Sequence, residues 1–115
     1  MTRIADNIGR LIEALPPGVT MVAVTKTRPP EEVLDAYNAG LRVFGENRVQ
    51  ELTAKRTLLP GDISWHLIGH LQSNKVRQAV AGASMIESVD TLRLLRMIDA
   101  EALAQGKAVD CLLQI

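Results

Sequence analysis

The chain has 115 residues, 47% of them apolar, with 13 basic and 13 acidic side chains and a formal net charge of zero. That apolar share excludes an intrinsically disordered chain and fits one folded domain or part of one. The charge balance offers no electrostatic footprint for nucleic acid or an anionic membrane, since short basic clusters such as Lys55-Arg56 are offset by acids such as Glu51.

Other classes are excluded by particular residues. No apolar run approaches the ~20 residues needed to span a bilayer. Met1 to Asp6 lack the charged-then-apolar pattern of a signal peptide. The single cysteine, Cys111, excludes an internal disulfide framework and fits a reducing, cytoplasmic compartment. It reads as a small apolar filler in a strand. Tyr37, Phe44 and Trp65 are the only aromatics, too few for a base-stacking platform.

In chain order, Ile4, Ile8, Leu11, Ile12 and Leu15 recur at helical spacing, and Pro16-Pro17-Gly18 ends that helix. Val19 to Thr25 reads as the first strand. Its Met21–Val24 stretch carries no polar residue, so cover on both faces is expected. Pro29-Pro30-Glu31-Glu32 opens a helix with Val33, Leu34 and Tyr37 on its inner face and Gly40 as its cap. Leu41 to Phe44 is a short second strand. Asn47 is placed to start a helix carrying Val49, Leu52 and Leu59 inward, and Pro60-Gly61-Asp62 forms a turn. Ile63 to Ile68 is the third strand. Ser73 or Asn74 caps a helix running through Val80, closed by Gly82. Ser84 to Val89 is the fourth strand. Asp90 caps a longer helix with Leu92, Leu95, Ile98 and Leu103, ended by Gly106. Val109 to Ile115 is the fifth strand.

Strand and helix alternate at a step of about 20 to 25 residues, as compact βα units do. Two α/β architectures meet this pattern: an open doubly wound sheet, and the first part of a (β/α)8 TIM barrel, which needs about 200 residues or more. The chain stops within the apolar strand Leu112-Leu113-Gln114-Ile115, so a fragment is expected.

In parallel α/β folds ligands bind at the carboxyl ends of strands. The first strand delivers Lys26 there. The second delivers Gly45-Glu46-Asn47, the third Gly69-His70-Leu71-Gln72-Ser73-Asn74-Lys75, and the fourth Glu87-Ser88-Val89-Asp90. The neutral amine of a lysine attacks an aldehyde to form a Schiff base; the plainer role of a strand-end lysine is to snorkel to water. Gly45 permits a sharp turn or a close ligand approach. Asn47 serves as a helix N-cap, a binder of a ring substituent, or both. Glu46 pairs with Arg48 or Lys26, or is solvated. His66 and Ile68 share one face of the third strand, where His66 contacts a planar ligand or sits as a satisfied core residue. Gln72 to Lys75 either bind an anion at a helix start or cap and solvate it. His66 and His70 make no metal site without a carboxylate cluster. Ser88 has no base, so no catalytic nucleophile is assigned. P-loop and GxGxxG motifs are absent.

Four segments, taken together, resemble a known family. They are Ala23-Val24-Thr25-Lys26; Phe44-Gly45-Glu46-Asn47-Arg48-Val49-Gln50-Glu51; Trp65-His66-Leu67-Ile68-Gly69-His70-Leu71-Gln72-Ser73-Asn74-Lys75; and Glu87-Ser88-Val89-Asp90. In this order they resemble the pyridoxal phosphate homeostasis proteins, a family similar to the N-terminal barrel domain of alanine racemase. The third segment is long and specific, and the match runs over nearly the whole chain.

The resemblance implies a fold-type III barrel that binds pyridoxal 5′-phosphate (PLP), with residues 1–115 as the N-terminal, five-stranded part of one barrel domain. It implies Lys26 as the Schiff-base lysine, Asn47 near the cofactor, and His66 and Ile68 on the pocket wall. It further implies a PLP handler in vitamin B6 homeostasis, with PLP-dependent apo-enzymes as recipients, no catalysis of its own, and full-length relatives that are monomeric. The second domain of alanine racemase, and its second acid–base group, are not expected, and racemisation needs proton transfer on both faces of the carbanion. The family's phosphate-binding serine and glycine-rich segments lie in later strands, outside these residues. The competing expectations are a PLP-dependent racemase-like enzyme, a lysine-dependent aldolase, and an inactive truncated fragment.

Overall fold

A computed structural model describes residues 3–115; Met1 and Thr2 lie outside the described residues. The elements are α1 (Arg3–Ala14), β1 (Ala23–Val24), α2 (Pro30–Asn38), β2 (Val43–Glu46), α3 (Val49–Leu58) and β3 (Ser64–Leu67). They continue with a 3-10 turn (Ser73–Lys75), α4 (Val76–Gly82), β4 (Met85–Val89), α5 (Leu92–Gln105) and β5 (Asp110–Leu113). All pairings are parallel, and the strand order is β1-β2-β3-β4-β5. A doubly wound sheet reverses its order at a switch point. Strands laid side by side in chain order, each followed by a helix, are instead how a (β/α)8 barrel is built, so the structure selects the partial TIM barrel.

The register assigns the two faces. Phe44 stands opposite Trp65, their rings 5.8 Å apart. Both are buried with Leu67 and Ile86 against helix residues Leu52, Val76, Ala79 and Val80. This is the sheet–helix core, and large apolar side chains alternate into it because successive strand residues point to opposite faces. On the other face Ser64, His66, Ile68, Met85 and Glu87 are only half-buried. Gly45 belongs to that face: a methyl group there would meet Ile68 Cγ2 at 3.3 Å and Val22 Cγ1 at 3.4 Å. Its missing side chain serves packing between strands, not the sharp turn the sequence allowed.

Several expectations are corrected. The first strand is two residues long rather than Val19–Thr25, and Val24 is 55% exposed, so it is not covered on both faces. The cause is its place at the sheet edge, with a neighbour on one side only. In α2, Ala36 is buried and Leu34 exposed; in α5, Leu94 and Ile98 are buried while Leu92 and Leu103 are exposed. The cap of α5 is Thr91, not Asp90: its Oγ1 accepts from the Leu94 N–H at 3.0 Å. Neither Ser73 nor Asn74 caps α4 through its side chain; the intervening 3-10 turn moves the cap position to Lys75. Gly40 and Gly106 do terminate α2 and α5, with φ of +115° and +68°. Cys111 is half-buried in β5, where burial pushes its thiol up, consistent with a filler rather than a reactive nucleophile.

The amino-terminal end of the sheet is tied by a polar cluster. Tyr37 Oη donates to Asp62 Oδ1 at 2.6 Å, Arg42 Nε reaches Asp62 Oδ2 at 3.3 Å, and the Arg42 guanidinium lies 3.8 Å from the Tyr37 ring centroid. The hydrogen bond from Tyr37 holds the Asp62 carboxyl below its usual 3.8. A depressed carboxylate contributes stability above its unfolded value and loses it as pH falls through the folded one. Replacing Tyr37 with Phe therefore lowers the thermal midpoint at neutral pH, and the gap from wild type narrows once pH falls below 3.8. Melting curves across an acid series check this.

Candidate functional site at the carboxyl ends of the strands

Because every strand is parallel, the segments after β1, β2 and β3 leave the sheet at one rim. The Thr25 N–H donates to the Gly45 carbonyl at 3.0 Å, and the Ile68 N–H to the Glu46 carbonyl at 2.9 Å, extending the ladders to that rim. Gly69 is essential here: a methyl group at its position would sit 2.1 Å from the Asn47 carbonyl oxygen. Only glycine lets the two loops approach so closely. Ser88 Oγ then donates to the Gly69 carbonyl, tying β4 to the same loop. Ser88 is thus a buried residue within the fourth strand that the sequence predicts.

Lys26 lies in the turn after β1, exposed, and its side chain has no hydrogen bond or ion pair among the described residues. Asn47 is exposed at the tip of β2 and does not cap α3; the cap position is Arg48, with no side-chain bond, because β2 runs on to Glu46. Asn47 lines an open polar cleft of about 470 Å³ with Arg48, Gln50, His70, Gln72 and Lys75; Lys26 and His66 do not line it. His66, half-buried on the inner face of β3, has Nδ1 3.0 Å from Glu87 Oε2 on β4. Ile68 packs over Gly45 on that same face. Lys26 and Asn47 thus stand in loops at the rim, His66 and Ile68 on the inner face, and the four form no single contact cluster.

Glu46 breaks the expectation most sharply. It is fully buried, pairing with neither Arg48 nor Lys26, and solvent does not reach it. Its partner is Lys55 of α3, 6% exposed, whose Nζ lies 2.9 Å from Glu46 Oε2. Strand alternation puts Glu46 on the helix-facing side with Phe44. The same Lys55 Nζ donates to the Thr25 carbonyl at 2.7 Å, and Thr25 Oγ1 donates to Glu46 Oε2. Glu46 Oε1 has no hydrogen-bond partner among the described residues. Glu51, one turn before Lys55, lies 3.8 Å from its Nζ and accepts from the Thr27 N–H at 3.3 Å. A signal for Lys55 existed in the sequence. It stands at i+3 from Leu52 and i−4 from Leu59, within the buried stripe of α3.

The described residues contain no group of three or more metal-ligating side chains and no helix long and apolar enough to cross a membrane.

Fold and rim define a parallel α/β barrel arc whose polar strand tips converge at one end. The chain belongs to the alanine racemase N-terminal domain family, whose model matches residues 1–115. Its curated relatives include the pyridoxal phosphate homeostasis protein of Synechocystis sp., 45% identical over 107 residues, covering 91% of this chain and 49% of the relative. The protein of that name from Aquifex aeolicus is 34% identical over 119 residues, covering 100% of this chain and 52% of the relative. Among solved structures, PipY of Synechococcus elongatus PCC7942 with PLP bound superposes with a TM-score of 0.93 at 45% identity, covering 98% of this chain and 54% of that one. Alanine racemase of E. faecalis, at 18% identity and a TM-score of 0.71 over 83% of this chain and 26% of that one, shares the fold. The chain spans about half the length of the curated relatives it matches.

Two substitutions test the construction of the rim. Lys55→Met strands a buried carboxylate and costs about 3–5 kcal/mol, whereas Lys55→Met combined with Glu46→Leu recovers most of that loss; urea titration followed by circular dichroism measures both. Gly69→Ala forces the Asn47 loop away and destabilises the protein more than Gly61→Ala, where a methyl group meets nothing within 4 Å.

Proposed function

We propose that this protein binds PLP and acts in intracellular vitamin B6 homeostasis, with Lys26 as the covalent anchor. The observation that carries the reading is an exposed lysine with no side-chain partner among the described residues, at the tip of the first strand, in a chain 45% identical to a protein solved with PLP bound. Bound PLP supplies an aldehyde carbon on an electron-withdrawing ring. Lys26 would hold the group through its amine, for which the aldehyde would supply the electrophilic carbon of a reversible covalent link.

The residues present fit such a group. Gly45, flanked by Val22 and Ile68, adds apolar surface on the inner face without a side chain of its own, which suits a planar ring. Glu87 orients the His66 imidazole on that face through Nδ1, leaving Nε2 for the ring. Asn47, free of capping duty, presents a donor and an acceptor at the rim. His66, Ile68 and Asn47 therefore orient the ring that Lys26 holds. Residues 1–115 form part of one barrel domain whose later strands supply the phosphate site.

The role is that of a cytoplasmic carrier, which delivers PLP to apo-enzymes and has no reaction of its own. The naming of the relatives as homeostasis proteins supports this over a racemase-like enzyme or a lysine-dependent aldolase.

Borohydride reduction after PLP addition is expected to label Lys26, identified by peptide mass analysis, and Lys26→Ala to abolish the label. Saturation is expected at higher PLP concentration than for the full-length Synechocystis relative; coincident curves would refute a contribution from the later strands. Sustained racemisation of alanine or serine by the PLP-loaded protein, followed by chiral chromatography, would replace the carrier by an enzyme.

A further inference from the structure

We infer that Glu51 and Lys55 of α3 are positioning residues for Lys26: they clamp the turn that carries it from both sides. The inference rests on the reading of Lys26 as the PLP anchor and names what aims that amine.

The turn needs a clamp. The Arg28 N–H donates to the Thr25 carbonyl at 3.1 Å, closing a four-residue turn with Lys26 second and Thr27 third. Thr27 has φ of +63°, the only positive value among described non-glycine residues. A third residue with positive φ marks the type II turn, which favours glycine or asparagine there. A β-branched threonine in that region is strained and persists only where its surroundings hold it.

What holds it is α3. On one side of Lys26, the Thr25 carbonyl accepts from Lys55 Nζ at 2.7 Å, and Thr25 Oγ1 donates to Glu46. On the other, the Thr27 N–H donates to Glu51 Oε2 at 3.3 Å. Glu51 and Lys55 are one helical turn apart, and Lys55 is fixed by buried Glu46. Since the Lys26 side chain has no partner of its own, its origin is set by the backbone that α3 grips. A long, flexible side chain loses most of its order once its backbone is free, and misplacement of a reacting group is costly.

The experiment compares wild type with Glu51→Ala, Glu51→Gln and Lys26→Ala. Glu51 is only half-buried, so its variants keep the core. In cofactor-free protein, amide hydrogen exchange is read at Thr27 and Arg28. With PLP, binding is titrated by the visible absorption band, and the thermal midpoint is recorded for each variant. Glu51→Ala is expected to speed exchange at Thr27 selectively and weaken PLP binding about tenfold, equivalent to about 1.4 kcal/mol. Glu51→Gln, which keeps an acceptor oxygen, restores both. Wild-type exchange and affinity in Glu51→Ala, with Lys26→Ala lacking the band, overturn the clamp and leave the anchor standing. Equal impairment in Glu51→Ala and Glu51→Gln, tracking the thermal midpoint, reduces Glu51 to a structural role and also overturns it. A band retained in Lys26→Ala, or missing from wild type, overturns the anchor and the clamp with it.

Discussion

The contact between Glu46 and Lys55 joins three layers of this molecule at one point. The carboxylate comes from the second strand, the ammonium from the helix behind it, and a third group, the Thr25 carbonyl, from the tip of the first strand. At 2.9 Å and an effective dielectric of about 20, the gross attraction is about 6 kcal/mol. Desolvating the two ions costs several kcal/mol each, so the pair nets little or nothing in stability. Apolar residues of similar volume would serve the core as well. The pair achieves geometry instead: the ammonium takes oxygens from two strands, fixing the end of β1 against the end of β2. One Glu46 oxygen has no hydrogen-bond partner among the described residues, in keeping with a site shaped by placement rather than full satisfaction.

The two ends of the sheet are held by different means. At the amino-terminal end, Tyr37, Arg42 and Asp62 form an exposed cluster that tolerates solvent. At the rim, loops touch through backbone: the Asn47 carbonyl faces Gly69, and Ser88 holds the Gly69 carbonyl. Such contacts leave little slack, which suits an end that must present separate side chains in fixed relation. His66 and Glu87 extend the same arrangement across β3 and β4 on the inner face. Stability and placement are thus divided between opposite ends, as barrels divide them.

Much of this was legible in the sequence, for identifiable reasons. Pro16-Pro17-Gly18, Gly40, Pro60-Gly61 and Gly106 punctuate the chain, so five strands and their helices could be read in order. The alternation of Trp65 and Leu67 against His66 and Ile68 gave the faces of β3 from a period of two. The choice between a doubly wound sheet and a barrel was not legible, because pairing order is a long-range property that periodicity does not encode. The shortness of β1 was hidden because an apolar run looks alike at an edge and in the centre. Helix caps moved by one residue where two polar residues stood side by side, as with Asp90 and Thr91. The clearest miss was Glu46, read as a rim residue because charge was taken as a sign of solvent. Its burial follows from its alternation with Phe44, but the partner that makes burial tolerable sits nine residues on, in a helix whose register had to be known first.

Every strand in this fold lies beside the one that precedes it in the chain, with a single helix between. Pairing among these five strands therefore closes over short stretches of chain. During synthesis the first two strands and their helices can dock before the fifth has left the ribosome, and each new unit has a finished edge to join. The clamp on Thr25, drawn wholly from the first three helices and two strands, is among the earliest tertiary contacts such growth allows.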